Sequence, residues 1–282
     1  MEHDAAMTGP AQERCASGRG QPCDGWHAAR VRAWERHGVY LGAAWCPASL
    51  DAPLSAARVR RIRERSGGRV VLAVDGELLV YRFPYSHRDR VKRGQVNPGF
   101  LDPEATRMRL AELLAPVGDA VDVVVLRLQR ISPNEGMRWE RLVELLCPWL
   151  DALPPGIVLE SADPSYVVPG YLECLRRRNV GHLMRHDAGG SLLEAAQVPG
   201  ILTGRAAVIR KGNEDDGLWP AYQGGDEEWM LGVLATVRQC VERGVRAYVS
   251  VPPPDLRLLG ETAALMDGDL AKLSPFKRRM AA

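Results

Sequence analysis

Seven positions of this chain carry side chains able to grip or process a polar ligand, and each lies where an apolar run gives way to polar residues: His87, Gln129, Glu160, Asp187, Arg210, Lys211 and Asn213. His87 follows the run Leu78 to Phe83 and Pro84. An imidazole titrates near neutrality, so it can take or give a proton under physiological conditions. The competing reading is a loop histidine satisfied by its neighbour Asp89. Glu160 ends Ile157-Val158-Leu159-Glu160, and enclosure by apolar walls raises a carboxylic acid's pKa unless a cation opposes it. It could serve as acid or base, or simply form an ion bridge with Arg210. Asp187, after His186, offers a second carboxylate for proton transfer. Arg210-Lys211-Gly212-Asn213 leaves the run Ala206 to Arg210 with a guanidinium, an ammonium and a glycine, a set suited to an anionic group. Glu214-Asp215-Asp216 could neutralise those cations instead.

Other combinations point to different chemistry. His182 and His186 share a strand face, and with Asp187, Glu160 and His87 they could complete a nitrogen and oxygen shell for zinc, manganese or iron. Equally, His182 could be a core histidine, and no His-Glu-x-x-His motif is present; no metal ligand is assigned, and a divalent cation stays a minor option. Cys46 beside His87 could be a nucleophile or a buried small residue. Arg58, Arg60, Arg61, Arg63 and Arg65 fit the solvated face of an amphipathic helix better than a nucleic-acid patch. Trp219-Pro220-Ala221-Tyr222 reads as a packed loop or an aromatic lid.

The elements that must position these groups alternate. Apolar runs suited to strands lie at Val39 to Ala44, Val70 to Val74, Leu78 to Phe83, Val121 to Gln129, Ile157 to Glu160, Val180 to Met184, Ala206 to Arg210 and Arg246 to Val251. Helical periodicity falls between them, at Leu54 to Arg65, Asp102 to Leu114, Trp139 to Leu150, Tyr166 to Arg178 and Glu227 to Arg243, with a short one through Leu265. Asp102 is a natural N-cap with Pro103 behind it. Asp75-Gly76 between two apolar runs predicts a hairpin that disturbs the alternation in the second and third strands. The pattern implies an α/β, TIM-barrel-like (β/α)8 fold, in which ligands bind at the carboxyl ends of the strands. Residues 1–24 read as a mobile leader, Trp26 to His37 as a helix closing one end, and 25–282 as one domain.

Composition narrows the classes. The chain has 282 residues, 46% hydrophobic and 26% charged, enough to bury a large core, and a net charge of only +2, which argues against nucleic acid as the main partner. Six cysteines without Cys-x-x-Cys spacing read as free thiols, and no apolar run approaches the length that spans a bilayer; a cytoplasmic protein is expected, with no membrane partner. Neither Gly-x-Gly-x-x-Gly nor a Walker loop follows a strand.

Phe83-Pro84-Tyr85-Ser86-His87-Arg88-Asp89-Arg90 and Asn97-Pro98-Gly99-Phe100-Leu101-Asp102 resemble the loop after the third strand of the domain-of-unknown-function family 72, also called YecE-like. Val123 to Pro133 with Gln129, Val158-Leu159-Glu160, His186-Asp187 and Val208-Ile209-Arg210-Lys211-Gly212 are similar to further strand ends of that family, and Tyr222 lies near its downstream tyrosine. The resemblance spans roughly Val39 to Met266. It implies a TIM-barrel-like fold with a polar cavity and no settled activity, and it adds Tyr222 to the substrate-binding set. Gly42-Ala43-Ala44-Trp45 is one residue shorter than the family's opening, Ser161 stands where an arginine is common, and Pro252-Pro253-Pro254 replaces an Asn-rich strand end; the chain resembles a divergent member. Two functions follow. One is an enzyme acting on a small polar or anionic, sugar-like substrate by acid–base chemistry, with isomerase, lyase and hydrolase classes all open. The other is a non-catalytic ligand-binding or partner protein that has kept the barrel. The sequence sets neither a cofactor nor an oligomeric state.

Overall fold

The structure is a computed structural model, and it describes residues 34–65, 68–129, 131, 135–161, 164–186, 192–211, 226–251 and 257–277. The predicted leader lies outside the described residues, as does most of the predicted helix from Trp26; of that stretch the structure describes Trp34 and the 3-10 turn Glu35–His37.

The elements run β1 (Val39–Leu41), β2 (Ala44–Ser49), α1 (Ala56–Arg65), β3 (Val70–Asp75), α2 (Pro103–Leu114), β4 (Val123–Arg127), α3 (Trp139–Asp151), β5 (Ile157–Glu160), α4 (Pro169–Arg177), β6 (Gly181–His186), α5 (Leu192–Gln197), β7 (Ala206–Lys211), α6 (Asp226–Arg243), β8 (Arg246–Ser250) and α7 (Arg257–Lys277). Every strand pairs in parallel, in the order β1-β8-β7-β6-β5-β4-β3-β2. This is the expected TIM-barrel-like arrangement.

Its seam is unusual. Parallel neighbours need a crossover of a dozen or more residues, yet only Gly42 and Ala43 separate β1 from β2. The two are halves of one kinked run. Val39 to Leu41 pair with β8, the amides of Gly42 and Ala43 both donate to Val249 O, and Ala44 N–H turns to Arg69 O on the β3 side. Gly42, at φ 80°, supplies the left-handed backbone at the switch. The run read as one strand, Val39 to Ala44, is therefore divided, and Trp45-Cys46-Pro47 continues the sheet instead of leaving it. The two edges of the sheet are thereby covalently joined.

The hairpin at Asp75-Gly76 does not form. Both edges of β3 are occupied, by β2 and by β4 (Val71 opposite Val123), which leaves no place for an antiparallel partner. Leu78 and Leu79 are buried instead in a 3-10 turn, Glu77–Leu79, and the rest of that apolar run contributes a single antiparallel bridge, Arg82 to Val96.

Strand alternation sorts the core into two layers. Ala43, Val71, Val123, Val125, Val158, Leu183, Ala206, Val208 and Tyr248 fill the lumen, and the opposite faces of the strands pack with the helices in the larger cluster. At the amino end of the lumen Tyr40 stacks on Tyr248, and Arg69, paired to Asp122 at 2.8 Å, lies over the Tyr40 ring. Gly181 lets β6 and β7 approach closely, since a Cβ there would lie 2.1 Å from Ala206 O. The arginine-rich helix α1 turns Val59 inward and holds Arg58, Arg60, Arg61 and Arg65 exposed. No described helix is long and apolar enough to cross a membrane.

Candidate functional site

The register of the strands assembles one polar layer above the apolar lumen. Ser49 of β2 lies opposite Asp75 of β3, Arg127 of β4 opposite Glu160 of β5, Arg185 of β6 opposite Arg210 of β7, and Arg210 opposite Ser250 of β8. Arg127, Glu160, Arg185 and Arg210 share the strand parity of the lumen residues Val125, Val158, Leu183 and Val208, so they stand on the inner face.

Glu160 is the fixed point of this layer. Its side chain is 2% exposed, and both oxygens are committed: Oε2 accepts from Arg127 Nε at 2.8 Å and Oε1 from Arg185 Nη1 at 2.6 Å. A buried carboxylate is tolerable only with such partners, and in return it holds two guanidiniums in a set geometry. Its partners are therefore Arg127 and Arg185, in place of the Arg210 bridge considered from the sequence. Arg210 is buried with its guanidinium 4.1 Å from the centroid of the Trp45 ring, while Arg127 lies 5.9 Å from the same ring.

A cavity of about 340 Å³ opens beside this layer at the carboxyl ends of β2 to β6. Arg127, Gln129, Glu160 and Arg185 form one wall, Ser49 and Asp75 another, and the long segment after β3 closes it with Glu77, Phe83 and His87. That segment is held by its own polar contacts. Asn97, buried, donates to the carbonyls of Glu77 and Val80 and accepts from Gly99 N–H. Glu77 bonds Lys92 Nζ at 2.8 Å and His87 Nε2 at 3.2 Å, and it accordingly stays ionised below the usual carboxylate range, chiefly through Lys92. His87 also meets Asp89 through Nδ1, at 3.1 Å from both the amide and the carbonyl of that residue, and its ring lies 4.9 Å from that of Phe83. Asp89 thus satisfies His87 through its backbone and not its carboxylate.

Asp75 and Gln129 differ from these neighbours. Asp75 is exposed and forms no side-chain hydrogen bond or ion pair among the described residues, and Gln129 Oε1 is buried with no donor among them. Asp75, Arg127 and Arg185 went unmarked in the sequence. The first is masked by its Asp-Gly turn signal. The two arginines sit at strand positions whose inward direction follows only from strand parity, once the ends of the strands are fixed.

The structure therefore brings His87, Gln129 and Glu160 into one cavity and leaves other candidates apart. Lys211 follows Arg210 on the strand and so faces the opposite way; it pairs with Asp226 at the start of α6 at 2.9 Å. Asp187, Asn213 and Tyr222 lie outside the described residues, together with Trp219 and Pro252 to Pro254. His182 and His186 share a face as read, but it is the outer one. His182 meets Tyr171 of α4 at 3.3 Å, and burial pushes its pKa down to about 4; His186 Nδ1 accepts from Leu192 N–H. They cannot join Glu160 and His87 in one metal shell. Among the described residues no group of three or more histidine, cysteine or acidic side chains is placed to hold a metal. Cys46 is fully buried on the outer face of β2, where burial raises its thiol pKa, and it does not line the cavity that His87 lines.

No family model and no curated protein matches the chain. Solved structures similar to it include a DUF72 family protein from Thermotoga maritima MSB8, 13% identical over 84% of this chain and 87% of that one, with a TM-score of 0.45. A xylose isomerase domain protein from Planctomyces limnophilus is 13% identical over 86% and 98%, with a TM-score of 0.37. An aldo-keto reductase from Bacillus halodurans is 14% identical over 86% and 80%, with a TM-score of 0.35. The barrel architecture stated above rests on the strand order of this chain and not on these likenesses.

Proposed function

We propose that this barrel is an enzyme acting by acid–base chemistry on a small polar substrate with an anionic group, which Arg127 and Arg185 hold. The observation that carries this reading is the shared cavity: two guanidiniums fixed by a buried carboxylate, together with an imidazole and the carboxylate of Asp75, which has no partner among the described residues. Paired guanidiniums recognise carboxylate or phosphate oxygens with directional bonds. His87, oriented by Glu77, moves the proton. Glu160, read from the sequence as a proton-transfer group, is assigned here to positioning the two arginines, because both of its oxygens are already used. The divergent DUF72 reading belongs to this proposal and rests on the residues quoted above; intermediate sequences that fail to align Pro84 and His87 with that family's loop would remove it.

The test is turnover of a pool of small anionic metabolites, followed by mass spectrometry, with the wild type and with His87→Gln and Arg185→Met. A general acid–base group contributes about 10²–10⁴-fold, so His87→Gln should lower the rate by that factor at intact folding, and Arg185→Met should weaken binding. An unchanged rate in His87→Gln rejects its role. The commitment of both His87 nitrogens favours a second reading, a binding protein without chemistry; a ligand that binds through Arg185 and leaves unaltered would establish it.

A further inference from the structure

We infer that the ligand of this cavity is a small zwitterion of the free amino acid type, its carboxylate on Arg127 and Arg185 and its ammonium on Asp75. This rests on the reading above that the two arginines hold an anionic group, and it adds what must stand at the other end of the molecule.

The charges around the cavity carry the argument. Asp51 is offset by Arg109, and Glu77 by Lys92. Of the other charged groups among the described residues that line it, two guanidiniums, Arg127 and Arg185, stand with Glu160 at one pole and the Asp75 carboxylate stands at the other. Glu160 is buried between the guanidiniums, whereas Asp75 is exposed at the end of β3 and forms no ion pair among the described residues. A simple anion bound on the arginines would strip water from Asp75 and place a like charge beside it, which is unfavourable on both counts. A zwitterion pairs both poles.

Acceptor chemistry points the same way. An ammonium offers three N–H donors. Along with the Asp75 carboxylate, the cavity offers the Ser49 hydroxyl, opposite Asp75 in the register, and, from the wall of the arginines, Gln129, whose buried Oε1 has no donor among the described residues. A carboxamide oxygen without a donor is costly in a folded protein, and small side-chain rotation toward a bound ammonium would satisfy it. The poles are also close. β3 and β4 are adjacent strands, about 5 Å apart, so a ligand bridging Asp75 and Arg127 needs only the few bonds that separate the charges of an α- or β-amino acid. A cavity of about 340 Å³ is near the small end of ligand sites and suits such a molecule.

The experiment uses the full chain. The twenty standard amino acids are screened singly by thermal shift, beside propionate, lactate and inorganic phosphate as simple anions. The strongest amino acid is then compared by calorimetry with its 2-hydroxy, deaminated and N-acetyl counterparts, on the wild type and on Asp75→Asn, whose folding is checked by circular dichroism. The expected result is an amino acid that binds at least tenfold more tightly than each counterpart, with Asp75→Asn lowering its affinity at least tenfold while that of the deaminated acid does not fall and rises if anything, since the like charge is gone. Equal binding of the deaminated or hydroxy acid, or an amino acid affinity indifferent to Asp75→Asn, overturns the inference while the arginine site stands. Binding of simple anions without any amino acid does the same. If no compound of either kind binds, the anion-holding role of Arg127 and Arg185 falls together with it.

Discussion

Replacing Glu160 by Gln probes the centre of the polar layer. The carboxylate accepts from Arg127 at 2.8 Å and from Arg185 at 2.6 Å, with only 2% of its side chain exposed and 22% and 13% of theirs. A carboxamide keeps one acceptor and turns the other oxygen into a donor aimed at a guanidinium. Removing one member of a buried ion set costs about 3–5 kcal/mol, most of it from the charge left behind. The residual exposure of both arginines places this case near the lower end, at about 3 kcal/mol. For a chain of this size that corresponds to a fall in Tm of about 6–12 °C. The assay is urea denaturation followed by circular dichroism, with the slope compared against the wild type so that a shift of midpoint reports stability. A double-mutant cycle of Glu160→Leu with Arg185→Met then measures the coupling, expected at about 1–3 kcal/mol, with the double variant less impaired than the two single losses combined. A loss below about 1 kcal/mol for Glu160→Gln, or strict additivity in the cycle, would refute the claim that this carboxylate holds the arginines.

His182 makes the fold acid-sensitive in a defined window. Its folded pKa, about 4, lies below the ordinary 6.5, so between these values the unfolded chain binds more protons than the folded one. Stability is complete above pH 6.5 and declines as the pH falls toward 4, by about 3 kcal/mol; His182→Phe should flatten that slope in denaturation curves measured across the window, and a slope unchanged in the variant would count against burial as its cause. Gly181→Ala should destabilise by about 1–3 kcal/mol or more, because the added Cβ meets the Ala206 carbonyl at 2.1 Å within paired strands. A wild-type Tm in that variant would show that β6 and β7 can separate at little cost.

The strand–helix alternation was readable because period 2 and period 3.6 are local properties of the chain. Near-continuous apolar runs such as Val123 to Leu126 announced strands covered on both sides, hence a parallel sheet. Asp102 announced its cap, and its side chain does accept from Ala105 N–H at 2.7 Å. Residues ending those runs were also legible as site candidates, and His87, Gln129 and Glu160 share a cavity for that reason. Partners could not be read. Whether Glu160 meets Arg127, Arg185 or Arg210 depends on the stagger between strands far apart in sequence, and a one-residue step reverses the direction of a side chain, as Lys211 shows beside Arg210. The Asp75-Gly76 signal was local too, and it lost to a tertiary fact: β2 and β4 had already taken both edges of β3. The kink at Gly42 likewise means nothing until β8 and β3 offer their different edges. Sequence alone determined the kinds of element and the chemistry carried at their ends, because neighbours along the backbone decide those. Only the tertiary structure decided which charges pair and which, like Asp75, have no ion pair among the described residues, because strand register and inner or outer direction exist only after the sheet has curled.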